Sequence, residues 1–544
     1  MSASRPERAV DETTPVLIVG GSLVGLCTSL FLGRHGIQSL IVERHPGASI
    51  HPRVASLTAR TLEIFRSVAV EAAIRAVEPA FSLGSRVPLA ESLVGEEFDN
   101  LMEDFSAYFT EASPAKGSLI AQDVLETVLP GLARQAGADL RYRHELVDFS
   151  QDTEGVTATV RDLASGTERR VRAEFLVAAD GNRSGIRKQL GIGVHTAESV
   201  SPQMCMSILF EAPGLMDLFH KREAVLCFVA NDGVSGGLTP YPGSSVRQDR
   251  FRLDVGYDPE TETVVDYPAE RCVPLLHAAI GIPDYPVEIK TVMPWEFSGR
   301  IADRFQEGRV FLVGDAARSQ PPTGALGGNT GIAEAHNLAW KLAAVLNGQA
   351  GPGLLVTYDQ ERRPVADYTV DQVALLSQQR GAEGSRGITV STLMLNMGYR
   401  YGSGAAVVPD KDQGELPEFR DPAQWTGQPG TRAPHVVLDQ NGKTVSSLDL
   451  FGSGFVLLAG PEGHNWLVAG ERVSQTLPVA LGGYQIGGDG GLADSGGEFC
   501  KAYGLAAGGA VLVRPDGFVG WRSPSGLDDP LSELTGALTT MLFR

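Results

Sequence analysis

The residues best suited to chemistry lie in three glycine-rich turns, each placed directly after a short apolar run. The first is Gly20-Gly21-Ser22-Leu23-Val24-Gly25, a GxGxxG pattern with serine at the middle glycine. In such a turn the first glycine bends the chain sharply and the middle position lets a pyrophosphate approach the backbone. The last lets helix and strand pack closely. The amides of Leu23 and Val24 open a helix, where free N–H groups and the dipole favour an anion. Glu43 stands 23 residues after Gly20, placed to accept from a ribose hydroxyl. The second turn is Asp180-Gly181-Asn182-Arg183-Ser184-Gly185-Ile186-Arg187, a DGxxSxxR arrangement. The third is Gly314-Asp315-Ala316-Ala317, followed by Pro321-Pro322-Thr323-Gly324 and Gly327-Gly328-Asn329-Thr330-Gly331. A glycine-rich helix start offers a second cluster of backbone donors, suited to an anion or an electron-rich ring edge. Any one of these is an ordinary structural turn; in this order and spacing they point to a bound dinucleotide.

These turns need elements to position them. Pro15–Gly20 reads as a buried strand, Val24–His35 as a helix closed by Gly36, and Gln38–Val42 as a second strand: a βαβ unit. Leu140–Arg172 alternates apolar and polar residues like an antiparallel meander, and Phe175–Ala179 is another buried strand. Residues 191–295 read as an inserted, mostly antiparallel sheet. Arg309–Val313 then resumes the nucleotide-fold pattern, and Ile332–Leu346 is a long helix with a helical stretch beyond it to Arg380. Residues 402–434 are rich in Gly, Pro, Asp and Gln and read as a linker. Ser453–Leu458 and Gly509–Arg514 read as strands of a small α/β domain. The expected division is residues 1–190 plus 296–400, residues 191–295, and residues 401–544.

Composition narrows the class. With 544 residues, a core can form without metals or disulfides. A net charge of −19 repels phosphate backbones and argues against nucleic acid as partner. Glycine, at 64 residues, is in excess, as tight turns and close ligand approaches require. Cys27, Cys205, Cys227, Cys272 and Cys500 form no CxxC pair and read as small buried residues of a reducing compartment. The polar N-terminus and the lack of a long apolar run suggest a cytoplasmic protein with no membrane partner. His45, His51 and His336 have no metal-ligand spacing, so no metal is expected.

Together the glycine loop, DGxxSxxR, and GDAA with PPTGALGGN resemble the class A flavoprotein monooxygenases of the para-hydroxybenzoate hydroxylase fold, over residues 14 to 380. Within them the chain is most similar to bacterial aromatic polyketide hydroxylases, the aklavinone and angucycline hydroxylases among them. The segments that carry this are His51-Pro52-Arg53, Arg60-Thr61-Leu62-Glu63, Ala121–Glu126, Trp295-Glu296 and Asn337–Leu342. The resemblance implies a Rossmann-like FAD-binding domain, an inserted β-sheet domain for substrate, and a C-terminal thioredoxin-like domain without the redox pair.

It also implies roles. Gly20, Ser22, Leu23, Val24, Gly25 and Glu43 would hold the ADP half of FAD, and Arg44, Arg53 and Gln122 its ribose and phosphates. Asp315 would bind the ribityl chain, while Pro322, Gly327, Gly328 and Asn329 would face the isoalloxazine. Asp180 would serve FAD and the incoming NADPH or NADH. Oxygen would add at the flavin C4a, and the hydroperoxide would hydroxylate a phenolic ring of a multi-ring aromatic polyketide. Two departures stand out: the family often has glycine where Ala325 stands and aspartate where Glu334 stands.

No general base is evident. Arg380 matches a position where related hydroxylases put an arginine near substrate, though a cation at a helix C-terminus needs no such role. Tyr241 and Trp295 read as pocket lining or as core. Alternatives on the same fold are a Baeyer–Villiger oxygenase, a hydroxylase of simple phenols or of an antibiotic, or a non-catalytic flavin-binding assembly protein. A homo-oligomer is compatible with all of them.

Overall fold

In the computed structural model, residues 9–47, 54, 56–78, 86–101, 110–197, 203–241, 249–379, 391–402, 404–411, 414–488 and 491–544 are described. The chain opens with β1 (Glu12–Val19), α1 (Leu23–Arg34) and β2 (Ser39–Glu43). Next come α2 (Ala59–Ser67), α3 (Gln122–Gln135) and β3 (Glu168–Ala178). After the inserted sheet come β4 (Val310–Leu312), α4 (Leu326–Leu346) and α5 (Gly353–Gln379). Strands β4, β3, β1 and β2 lie side by side and parallel within an eight-stranded sheet. Val16, Leu17, Ile18, Leu176, Val177, Phe311 and Leu312 are all fully buried in it, as a sheet covered on both faces demands. Helix α1 is apolar nearly all round because it is sandwiched between that sheet and α4. β3 serves twice: its last residues pair with β1 and β4, and its first with Val156–Asp162 of the antiparallel meander.

The second sheet runs in the order 288–297, 203–211, 250–256, 234–240, 227–231, 88–90, 97–100. It is antiparallel except where Phe228 and Val229 pair in parallel with Leu89 and Ala90. Its last two strands therefore come from chain before residue 191, inside the stretch expected to belong wholly to the first body. One face is closed by helices Leu215–Arg222 and Ala269–Ile280, packing Phe219 and Leu276 on Ile208, Phe210 and Leu253. The other face meets the first body, where Arg250 pairs with Asp123 of α3 at 3.0 Å.

The C-terminal body has a four-stranded mixed sheet in the order 481–485, 455–459, 510–513, 519–523. Helices His464–Thr476 and Pro530–Met541 pack on it. The expected linker is tied down rather than loose. Trp425 donates its indole N–H to Gly398 O at 2.8 Å, and Thr431 and Arg432 are buried. Once polar groups are bonded to backbone in this way, a stretch of turn-forming composition stays folded against the core. Four cysteines are buried and Cys500 is half-buried; all are free. Among the described residues no helix is long and apolar enough to cross a membrane, and no cluster of metal-binding side chains occurs.

Candidate cofactor and active site

The C-terminal ends of the parallel strands converge on one edge, the usual ligand edge of such a sheet. There Gly20 N donates to Val42 O at 2.9 Å, Ala179 N to Val19 O at 2.8 Å, and Val313 N to Ala178 O at 3.0 Å. These bonds bring the first glycine turn, the Asp180 turn and the Gly314 turn together. Gly20 has φ +109°, and a Cβ there would collide with Ala179 O; a Cβ on Gly25 would collide with Gly20 O. Only glycine permits this approach of loop, strand and helix. Gly21 N donates to Glu43 Oε2 at 2.7 Å, and His45 N to Glu43 Oε1 at 2.8 Å. The carboxylate is thereby aimed along the loop and keeps lone pairs for a ribose hydroxyl.

At the start of α1 the Ser22 hydroxyl donates to Glu126 Oε1 at 2.5 Å, and Leu23 N to the same oxygen at 3.1 Å. Gln122 Nε2 reaches Ser22 Oγ at 2.9 Å and Glu126 Oε1 at 2.8 Å. Glu126 is a site residue that sequence reasoning passed over. Its signal was available: it stands one helical turn beyond Gln122, on the same face of α3.

The second and third turns are fastened to one another. Arg187 donates from Nη1 to Ala316 O at 2.7 Å and from Nη2 to Asn182 O at 3.0 Å. Asp180 Oδ2 accepts from Ile186 N at 3.2 Å, and its Oδ1 is buried without a partner. Glu334 accepts from Gly314 N at 2.8 Å and pairs with Arg318 Nε at 2.8 Å, both side chains fully buried. Arg318 Nη2 reaches Gly327 O at 2.9 Å. Glutamate in place of the family's aspartate thus spans from α4 to the Gly314 turn directly.

Helix α4 starts at Leu326, six residues before the expected Ile332, because its glycines adopt helical conformation against α1. Val24 lies over Gly331, where a Cβ would meet its Cγ2 at 2.8 Å, and a Cβ on Gly328 would overlap Val54. Gly327 is open, with nothing nearer to a Cβ than Gln320 Cγ at 3.9 Å. Ala325, at φ +53°, occupies left-handed backbone that favours the glycine it replaces.

The side chain of Asn329 turns toward α2. Its Oδ1 accepts from Thr58 N at 2.9 Å and Thr61 Oγ1 at 2.7 Å, and its Nδ2 donates to Ser56 O at 3.1 Å and Ala325 O at 2.7 Å. It is a brace between two helix starts, leaving only its backbone for a flavin ring. Asp315 is half-buried, while Pro322 and Arg44 are exposed at the rim. Arg53, His51 and Arg380 lie outside the described residues.

On the face of the second sheet turned toward the first body, half-buried Trp295 lies beside half-buried Phe297, ring centroids 4.2 Å apart. Trp295 is paired with Cys205, and Ser207 with Asp254, so all four share that face. Ser207 Oγ donates to Asp254 at 2.5 Å, and Arg252, 3.0 Å from the same carboxylate, stands over the Trp295 ring at 6.0 Å. Burial, aided by Asp254, pushes the Cys205 thiol up to about 12, so it stays protonated and inert. Tyr241 is buried at the junction, its hydroxyl 3.4 Å from Val54 O, and burial pushes its pKa up. It is core rather than pocket lining. His336, also core, is pushed down to about 3 by burial, with Arg60 adding to the shift.

The cradle fits a flavin dinucleotide: two glycine-lined helix starts, a strand-end acid, and an orphaned buried Asp180 oxygen. Comparisons with known proteins agree. Residues 13–373 match the family described as FAD binding domain, and residues 426–544 the one described as aromatic-ring hydroxylase, C-terminal. A 4-methyl-5-nitrocatechol 5-monooxygenase of Burkholderia sp is 42% identical, over 99% of this chain and 100% of that protein. A tetracenomycin A2 monooxygenase-dioxygenase of Streptomyces glaucescens is 39% identical, over 98% of this chain and 97% of its own. Among solved structures, aklavinone-11 hydroxylase in complex with FAD and aklavinone superimposes with a TM-score of 0.88 at 36% identity, covering 99% of this chain and 100% of that one.

Proposed function

Because this chain belongs to the FAD-binding family of aromatic-ring hydroxylases, and so is a monooxygenase consuming reduced nicotinamide and dioxygen, we propose that it hydroxylates a phenolic ring of a planar, multi-ring aromatic polyketide. When bound, FAD supplies reduction by the nicotinamide and activation of oxygen. The chain's own part is to bind, orient and exclude water. Gly20, Ser22, Leu23, Val24, Gly25, Glu43, Arg44, Arg53 and Gln122 are assigned to the ADP half. Asp180, Asp315, Pro322 and the backbone of Gly327–Asn329 are assigned to the flavin half, where N–H groups at the start of α4 favour negative charge. Arg380 is assigned to the substrate end. The first body, divided around the second sheet, holds the coenzyme; the second sheet is the substrate platform; and the C-terminal thioredoxin-like body serves structure. We place the enzyme in the cytoplasm, working on a small molecule without nucleic acid or membrane.

The observation that carries this reading is the face of the second sheet turned toward the first body. There the Trp295–Phe297 pair offers aromatic surface, its rings tilted by 33°, and Arg252, Asp254 and Ser207 offer polar groups beside it. Such a surface suits a wide aromatic plane bearing oxygens. A second reading, a single-ring acidic phenol, is favoured by the 42% identical nitrocatechol monooxygenase. The test is a panel of anthracyclinones, angucyclinones, simple phenols and 4-methyl-5-nitrocatechol, scored for coupled NADPH or NADH consumption and product structure. Hydroxylated multi-ring products are expected. Turnover of single-ring phenols alone would overturn the polyketide reading, and lactone products would make the enzyme a Baeyer–Villiger oxygenase.

A further inference from the structure

Helices α2 and α4 are braced together at two levels. At the flavin end, Asn329 on α4 accepts from the backbone and hydroxyl groups that open α2. Eight residues along α4, about 12 Å further at 1.5 Å per residue, the second brace comes from outside the first body. It is the hairpin Arg514–Phe518, which joins two strands of the C-terminal sheet. Asp516 touches both helices at once. Its backbone oxygen accepts from Arg60 Nη2 of α2 at 3.0 Å, and its carboxylate accepts from Asn337 Nδ2 of α4 at 3.1 Å.

The brace is anchored in a closed charge cluster. Arg514 holds Asp516 at 3.0 and 2.5 Å and grips both oxygens of Glu361 on α5 at 2.8 Å each. Glu361 also accepts from Lys341 Nζ at 2.8 Å and from Asn337 at 2.7 Å. Two carboxylates face two cations, and all four side chains are essentially excluded from solvent. A second buried pair, Arg432 with Glu63, ties the preceding strap to α2. Phe518 stacks on Tyr401 at 4.4 Å, with the Arg60 guanidinium over the same ring at 5.5 Å.

We propose that the C-terminal body acts as a latch that sets how α2 packs on α4, the helix whose start forms the flavin-ring end of the cleft, with Asp516 as its positioning residue. The latch goes beyond the substrate assignment and rests only on the flavin lying at the start of α4. Both braces meet the first turn of α2, at Thr58 and Thr61 and at Arg60, while on α4 they stand eight residues apart at Asn329 and Asn337, so releasing the hairpin leaves α2 held to α4 through Asn329 alone. An exposed contact such as Arg66–Asp449 does not bridge the pair.

The test is equilibrium FAD binding by full-length apoprotein, read by flavin fluorescence, set beside Tm. Asp516→Ala is expected to weaken FAD binding by about tenfold. Val473→Ala, in the C-terminal core away from the hairpin, is expected to lower Tm while leaving the FAD Kd within about twofold. Asp449→Asn is expected to leave both nearly unchanged. Should Asp516→Ala fail to fold, Asp516→Asn, which keeps the side chain's shape but not the charge facing Arg514, is expected to weaken binding about threefold. A Kd that follows Tm equally in the hairpin and core variants, or that stays put in the Asp516 variants, would overturn the latch. Wild-type protein that takes up no FAD would instead overturn the flavin site on which the latch depends.

Discussion

The cofactor cleft and the seam beneath the C-terminal body are built from opposite materials. The cleft takes its shape from backbone: glycines that exclude a Cβ and helix starts that present N–H groups. The seam is side chain: Arg514, Glu361, Lys341, Asp516 and Asn337 in mutual contact with almost no solvent. Each region therefore fails in its own way. The cleft fails when one carbon is added at Gly20 or Gly25. The seam accepts ordinary backbone geometry but not the loss of one charge, because the partner left behind stays buried and unpaired.

The sharpest way to break this contrast is Gly25→Ala. The new Cβ would overlap Gly20 O, so α1 must move off the loop. FAD affinity is expected to fall at least about a hundredfold, measured as flavin retained through gel filtration. Retention at the wild-type level would mean that the loop is not the pyrophosphate site.

The counterpart in the seam is Glu361→Gln, which leaves Lys341 and Arg514 facing a neutral amide. Arg514 and Lys341 more than offset burial and hold the Glu361 carboxyl below its usual range, while burial lowers Lys341 to about 8. A loss of about 3–5 kcal/mol of stability is expected, read from denaturant midpoints. A change below about 1 kcal/mol would show that the cluster is solvated in solution.

A third comparison uses pH. His336 titrates near 3 in the folded protein against 6.5 ordinarily. Between those values the unfolded chain binds more protons, so stability is lost as pH falls below about 6.5, at about 1.4 kcal/mol per unit. Wild type should therefore lose stability against His336→Phe by that slope between pH 6.5 and 4. Parallel curves would mean that His336 takes up a proton without unfolding.

The smallest effect returns to the cleft. Ala325→Gly relieves the left-handed strain at φ +53° and is expected to gain about 1 kcal/mol, measured by Tm. A loss instead would show that the methyl group packs usefully against its surroundings.

The same contrast explains what could be read without a structure. Glycine turns are local: Gly20, Gly25 and Gly314 report their backbone needs within a few residues, as do the apolar runs before them. The seam is not local. Arg514 and Glu361 are 153 residues apart and Arg432 and Glu63 are 369 apart, so nothing near either residue signals the other. The second sheet was legible over 191–295, where strand-like and turn-like pieces such as Arg252–Gly256 and Gly236–Gly243 follow one another. Pro88–Ala90 and Glu97–Asn100 are too short to show a period, and they join through pairing with residues far along the chain. Among the expected site residues, Glu43 accepts from Gly21 of the first glycine turn and Gln122 reaches Ser22 beside it. Asn329 shows the limit, since the pattern gave its place but not the direction of its side chain. That direction depends on α2, which arrives from 268 residues earlier.

The central claim is that the paired glycine turns hold one FAD per chain. Apoprotein dialysed against FAD and passed through gel filtration should elute yellow, with a flavin-to-protein ratio of one and flavin fluorescence altered by binding. Protein that elutes colourless after the same treatment, while keeping its folded circular dichroism, would contradict the account.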